Sequence, residues 1–365
     1  MDAKQTICMN PGEGETSYAR NSKFQSAEQT RMKPLVEGAI GELCSTTRSS
    51  LPSSIVIADL GCSCGENAIA LLSTAVNAIH HQHVQLQRPP PELSLHLNDL
   101  PSNDFNDVVK HLTAFQDRLN GDNGKDVFSP LIRTSIVPGS FYERLFTARS
   151  VHLFLSSASL QWLSQVPEDL VKNGIPMYHA EDNLWQKMRP AVLNAYARQF
   201  RKDFMSFLGN RAQEMAPGGR MVLSLPATHS PNLADGSTQP WEFVARVLDD
   251  MASRGVIDKE RIKTFYIPVY TPYEKEVKEI IDEQGSFSIC KLQVHDSLSG
   301  VNKALINPKM IAYTFRAGFE PIIVEHFGSS GEILDEFVRT AEQHISVANL
   351  QDKPAVFLAV SLSKK

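Results

Sequence analysis

Ile55-Val56-Ile57-Ala58-Asp59-Leu60-Gly61-Cys62-Ser63-Cys64-Gly65 is the stretch on which the fold turns. It opens with four apolar residues in a row, as a strand buried on both faces requires. An acid and two glycines follow, and then Ala68, Ile69, Leu71 and Leu72 return with helical spacing. Gly61 and Gly65 let the backbone pass close to a ligand with no Cβ in the way. The free N–H groups of the helix that follows are electropositive and suit a carboxylate. The glycines stand four apart and do not spell G-x-G-x-x-G, which disfavours a pyrophosphate cradle and with it a dinucleotide dehydrogenase. Asp59 suits the cationic amino group of a bound amino acid.

Working outward, Leu93, Leu95 and Leu97 alternate with Ser94 and His96 in a second strand that ends at Asn98-Asp99. Phe105, Val108, Val109, Leu112 and Phe115 mark the next helix, and Asn120-Gly121-Asp122-Asn123-Gly124 reads as a turn-rich loop. Val151–Leu155, Met221–Leu225 (entered through a turn at Pro217-Gly218-Gly219) and Ala355–Val360 are further strands. Tyr196, Phe200, Phe204 and Phe207 make one apolar helix face, and Val244, Val247, Leu248 and Met251 another. Thr271-Pro272-Tyr273-Glu274 has the form of a capping box ahead of Val277, Ile280 and Ile281. Strands alternating with helices predict right-handed crossovers and a mostly parallel α/β sheet. One domain over 1–365 is expected, with a Rossmann-like core at about 50–165, 196–226 and 286–365. The rest, about 166–195 and 227–330, exceeds what crossovers need. It is assigned to an interleaved helical cap over the C-terminal strand ends, where open α/β sheets bind ligands.

An acid at the end of the second strand, Asp99, can accept both ribose hydroxyls; its competing role is a helix cap. Taken together, the glycine turn and Asp99 point to an adenosine with an amino-acid tail, which describes S-adenosylmethionine. Bulk properties agree. The chain has 365 residues with mixed charges and a formal net charge of -5, so nucleic acid is a poor partner. No run reaches the roughly 20 apolar residues of a membrane span, and no signal peptide opens the chain. The five cysteines at 8, 44, 62, 64 and 290 suit reduced thiols in the cytoplasm. Cys62 and Cys64 have no second pair at ligand spacing, so no metal is read from them.

Five blocks in order carry a resemblance. They are Met9–Tyr18 with Asn21-Ser22, Ala58–Ser63, Leu97–Asn106, Val137–Tyr142 and Ser159–Pro167. On these the chain resembles the plant SABATH methyltransferases, which esterify salicylate, benzoate, jasmonate and indole-acetate or N-methylate xanthines. The resemblance implies an S-adenosylmethionine site lined by Tyr18, Ser22, Asp59, Gly61, Cys62, Asn67, Asp99, Leu100, Ser140, Phe141 and Ser157, with Phe141 stacked on adenine. It implies that Gln25 and Trp162 hydrogen-bond the substrate carboxylate, and that Ala158, Gln161, Trp241 and Phe315 shape the acyl pocket. It further implies a cytoplasmic homodimer. The glycine turn departs from the family's Ser-Gly-Pro-Asn, reading Cys64-Gly65-Glu66-Asn67, yet keeps Asn67. Where some members hold magnesium through Asp-x-Phe-Asn, this chain has Lys263-Thr264-Phe265-Tyr266, so no metal is expected.

The residues also bound the chemistry. A carboxylic acid with a pKa near ~4 is already ionised at neutral pH, so its methylation needs no general base. The requirement is orientation and exclusion of water, worth roughly 7–11 kcal/mol. Ala158, where salicylate-type members carry Tyr, leaves room for an acid larger than salicylate. N-methylation of a xanthine-like heterocycle, or non-catalytic binding of a small molecule, remain the alternatives at this point.

Overall fold

The computed structural model describes residues 8–46, 53–123, 131–229, 238–328, 331–350 and 355–365. The seven strands are β1 (Ser54–Leu60), β2 (Glu92–Asp99), β3 (Ile132–Pro138), β4 (Val151–Ser157), β5 (Met215–Ala227), β6 (Phe287–Asp296) and β7 (Val356–Lys364). They form one sheet in the order β3-β2-β1-β4-β5-β7-β6. The first five in that row run parallel, and β7 runs antiparallel to both β5 and β6. The helices are α1 (Tyr18–Asn21), α2 (Lys23–Thr46), α3 (Glu66–Gln85), α4 (Phe105–Asn123), α5 (Glu168–Lys172), α6 (Asp182–Glu214), α7 (Pro240–Ser253), α8 (Lys259–Ile262), α9 (Glu274–Gln284), α10 (Pro308–Phe327) and α11 (Gly331–Val347). This is the Rossmann-like arrangement expected from the alternation of apolar runs.

The strands bury both faces, and the period of two sorts their side chains between two cores. Ile55, Ile57, Leu153 and Leu155 pack with α2, α3 and α4 on one side. Ala58, Leu60 and Phe154 pack on the other with α6, α7, α9, α10 and α11, joined by Val151 from before the register slip in β4. Tyr196, Phe200, Phe204 and Phe207 of α6, and Val244, Val247, Leu248 and Met251 of α7, are all buried in that second core, as their spacing predicts.

Several local expectations are corrected. Strands β3 and β6 were not anticipated. Both are edge strands with a single neighbour, and they keep polar residues along their length. Pro217-Gly218-Gly219 is no turn ahead of β5 but lies inside it. The register with β4 slips there between Val151 and Leu153, and Gly218 takes φ +74°. Asn120–Asn123 continues α4, and Gly124 lies outside the described residues. Thr271 caps nothing. Helix α9 starts at Glu274, and the Thr271 hydroxyl donates to Gln239 Oε1 at 2.9 Å. The acid that closes back on a helix start is Glu242, which accepts the Gln239 N–H at 3.0 Å. Helix α6 runs unbroken across position 195, where the cap was expected to hand over to the core.

The glycine turn sits at the C-terminal end of β1, and the two glycines do different work. Gly65, at φ +93°, ends the turn where a Cβ would lie 3.1 Å from the Val108 Cα, so it sets the approach of α3 to α4. Gly61, at φ +84°, would place a Cβ 2.3 Å from Ser159 Oγ. A Gly61→Ala variant is therefore expected to lose about 2 kcal/mol or more in a urea titration, since it adds both strain and a clash. An unchanged midpoint would contradict this reading.

Candidate active site

The turn after β1, the ends of β2 and β4, the first half of α2 and the loops 140–142 and 158–164 enclose one cavity of roughly 990 Å³, counted with its solvent-filled mouth.

Ten of the eleven residues expected around the nucleoside line this cavity: Tyr18, Asp59, Gly61, Cys62, Asn67, Asp99, Leu100, Ser140, Phe141 and Ser157. The eleventh, Ser22, stands just behind, accepting from the Asn67 side-chain amide at 3.0 Å. Gln25, Ala158 and Trp162 line the cavity as well. Three expected pocket residues do not. Trp241 is fully buried in the core, stacked on Tyr196 at 4.9 Å and 12°. Phe315 packs between Phe243 at 4.5 Å and Phe319 at 6.0 Å, and only Phe319 reaches the Trp162 ring, at 5.5 Å. Gln161 folds back to donate to the Ala158 carbonyl at 2.7 Å. Cys8, Met9, Gln29, Tyr142 and Ser164 line the cavity without having been singled out. Tyr142 and Ser164 stood inside quoted blocks, and Gln29 lies one helical turn from Gln25. That spacing was the available signal.

The cavity's acids are arranged for a ligand. Asp99 is no helix cap: α4 starts six residues later, and Asp104 accepts from the Asn106 N–H there. Asp99 instead accepts from the Ser63 and Leu100 N–H groups, each at 2.7 Å, leaving lone pairs on both oxygens for hydroxyls. Burial pushes its pKa up to about 6 against those two hydrogen bonds. Asp59 has no donor among the described residues. Burial, and then the charge of Asp99, raise it to about 7. In the same cavity the Oε1 atoms of Gln25 and Gln29 and the Ser157 hydroxyl are buried without partners.

The loops are held from behind by α6. Arg211, fully buried, donates to the carbonyls of Phe141 and Glu143 at 2.7 and 2.8 Å and pairs with Glu214 at 2.7 Å. Glu214 accepts the Leu145 and Phe146 N–H groups at 2.6 and 2.9 Å. Asp203 accepts from both the N–H and the hydroxyl of Ser164, at 2.8 and 2.7 Å. Tyr142 ties the two loops together, its phenol donating to the Trp162 carbonyl at 2.7 Å. The segment carrying Phe141 and the segment carrying Trp162 thus share one scaffold.

The family model for SAM-dependent carboxyl methyltransferases matches residues 4–365. The chain belongs to that family. It is 38% identical over 381 residues to "Probable jasmonic acid carboxyl methyltransferase 2" of Theobroma cacao, covering 100% of both chains. It is 36% identical over 369 residues to the benzoic acid/salicylic acid carboxyl methyltransferase 3 of Petunia hybrida, covering 100% of this chain and 99% of that one. A solved structure of loganic acid methyltransferase with SAH superposes with a TM-score of 0.81 at 26% identity, over 98% of each chain. S-adenosylmethionine, the family's cofactor, fits the cavity: an unpaired acid, Asp59, and the unpartnered buried oxygens of Gln29 and Ser157 line it and await donors. Among the described residues no helix is long and apolar enough to cross a membrane.

Two predictions follow from this geometry. Because the folded pKa of Asp59 lies above its ordinary 3.8, the stability it contributes is fully present below about that pH and lost as pH rises through about 7. Asp59→Asn should melt progressively higher than the parent between pH 5 and pH 8 while losing affinity for S-adenosylhomocysteine. Asp99 titrates in the same window and leaves a residual slope. Tyr142→Phe should lower stability by about 1–2 kcal/mol. It should also reduce kcat/KM for the acid while moving S-adenosylhomocysteine affinity by less than about threefold, the mark of a loosened Trp162 segment. Equal losses in both would contradict the coupling.

Proposed function

We propose that this methyltransferase esterifies the carboxylate of a small plant organic acid larger than salicylate, of aromatic, indolic or jasmonate-like type. The observation that carries the size argument is Ala158. Its methyl group stands in the cavity wall beside Trp162, at φ +54°, where a bulkier side chain would take up acyl space. The named relatives act on jasmonic, benzoic and salicylic acids, and the structural relative on loganic acid, so the substrate class is shared and its size is what this wall selects.

When bound, S-adenosylmethionine supplies a methyl group activated by its sulfonium. The chain's own residues do the rest. Gln25 and Trp162 present neutral N–H donors to one end of the cavity and hold a carboxylate by one oxygen, leaving the other to face the methyl. Neutral donors orient the anion without the tight ground-state grip of a Lys or Arg, which would not raise the rate. Phe319 backs the Trp162 ring and keeps water from that side. No residue needs to take a proton, because the acid arrives ionised. The segments 166–195 and 227–330, apart from strand β6, are read as a cap closing this end, and the enzyme as a cytoplasmic homodimer.

A labelled-methyl assay over a panel of acids tests the reading, with the esters identified by mass. Larger acids should be preferred to salicylate, and Ala158→Tyr should shift that preference toward salicylate by about tenfold, the scale on which a filled pocket discriminates. Methylation of a xanthine and of no acid would overturn it.

A further inference from the structure

Three oxygens lining the cavity are satisfied by no donor among the described residues. The Asp59 carboxylate meets no donor among the described residues, and the Ser157 hydroxyl and Gln29 Oε1 are buried without partners. Gln29 is only 9% exposed, yet its side chain lines the cavity.

The fold brings these three groups to one cavity. Glu28, the residue before Gln29, is fully buried and fixed on three sides. It accepts from the Ser224 hydroxyl at 2.5 Å and from Arg31 Nε at 2.8 Å, and it meets His295 Nδ1 at 2.9 Å. Ser224 lies opposite Ser157 in the β4–β5 register, and two residues before Ser157, Leu155 lies opposite Asp59. Helix α2 is thereby pinned to the strand end that carries Ser157, and Gln29, next to the pinned Glu28, lines the cavity together with Asp59, Cys62, Ala68 and Ser157.

We propose that Gln29 completes, with Asp59 and Ser157, a three-acceptor cup for the ammonium of the methyl donor's amino-acid tail. An ammonium has three N–H donors and no acceptor, so it can give one hydrogen bond to each of the three oxygens. The ligand also relieves the cost of a buried carbonyl oxygen with no partner. The inference rests on the cavity being the S-adenosylmethionine site and adds Gln29, a residue outside the family blocks.

Calorimetry with two probes separates the tail from the nucleoside. S-adenosylhomocysteine carries the ammonium, and 5′-methylthioadenosine lacks the whole amino-acid end. Gln29→Leu should weaken S-adenosylhomocysteine by about tenfold or more, the worth of a hydrogen bond to a charged group, and leave 5′-methylthioadenosine within about twofold. Equal weakening of both probes, or of neither, overturns the proposal. Should the leucine variant fail to fold, Gln29→Glu decides. It should bind S-adenosylhomocysteine at least as tightly as the parent with 5′-methylthioadenosine unchanged, and weaker binding of the former overturns the proposal. Parent protein that gives no heat with either probe would overturn the reading of the cavity itself, a failure distinct from one confined to the Gln29 variants.

Discussion

The ion pair between Arg211 and Glu214, with neither side chain exposed, is the interaction on which the site depends. Removing two charges from water is costly, and their mutual attraction offsets that only if the remaining donors and acceptors are filled. Here they are filled by one loop. The guanidinium takes the carbonyls of Phe141 and Glu143, and the carboxylate takes the N–H groups of Leu145 and Phe146. Phe154 and Phe207 present ring faces to the guanidinium, each at 5.4 Å. A loop of six residues, Phe141 to Phe146, is thereby bolted to the last turn of a helix of 33 residues. The same helix, three turns earlier, holds Ser164 through Asp203. Both rims of the cavity are consequently attached to a single rigid element.

The interior of the cavity is divided by chemistry. On the floor are carboxylates and bare acceptor atoms, whose ionised forms are disfavoured while nothing cationic is present. Elsewhere in its wall is the Trp162 indole, a neutral donor backed by the Phe319 ring. A zwitterionic, positively charged ligand suits the first region and an organic anion the second. Attraction between the two ligands is then left to work along the line that joins them, without a protein cation to compete for the anion.

Much of the architecture was legible in the chain. The unbroken apolar run at Ile55–Ala58 cannot sit on a solvated face, and the alternation at Leu93–Leu97 fits only a strand. The edge strands β3 and β6 were not legible. An edge strand has one neighbour, tolerates polar residues, and so loses the pattern that marks its neighbours. Position 217–219 misled for a related reason: Pro-Gly-Gly has the composition of a turn, and only pairing with β4 absorbs it as a bulge. At the site, Tyr18, Asp59, Asn67, Asp99 and Phe141 came from motif and resemblance, whereas Trp241 was credited with a wall it does not form. A tryptophan beside a helix's apolar face can turn to either side of it, and packing on Tyr196 settled the matter.

The sequence by itself determined which residues are fit to meet an adenosine with an amino-acid tail, because spacing within a strand–turn–helix unit is local and a glycine or an acid there has few other uses. It also determined the period of each buried element. Only the tertiary structure decided which side chains, far apart along the chain, face one another across empty space. That Gln29 and Ser157 line one cavity depends on how a helix lies against a sheet, and that Tyr142 holds Trp162 depends on two loops meeting over α6. Such contacts arise from packing among elements, and no periodicity within one element encodes them.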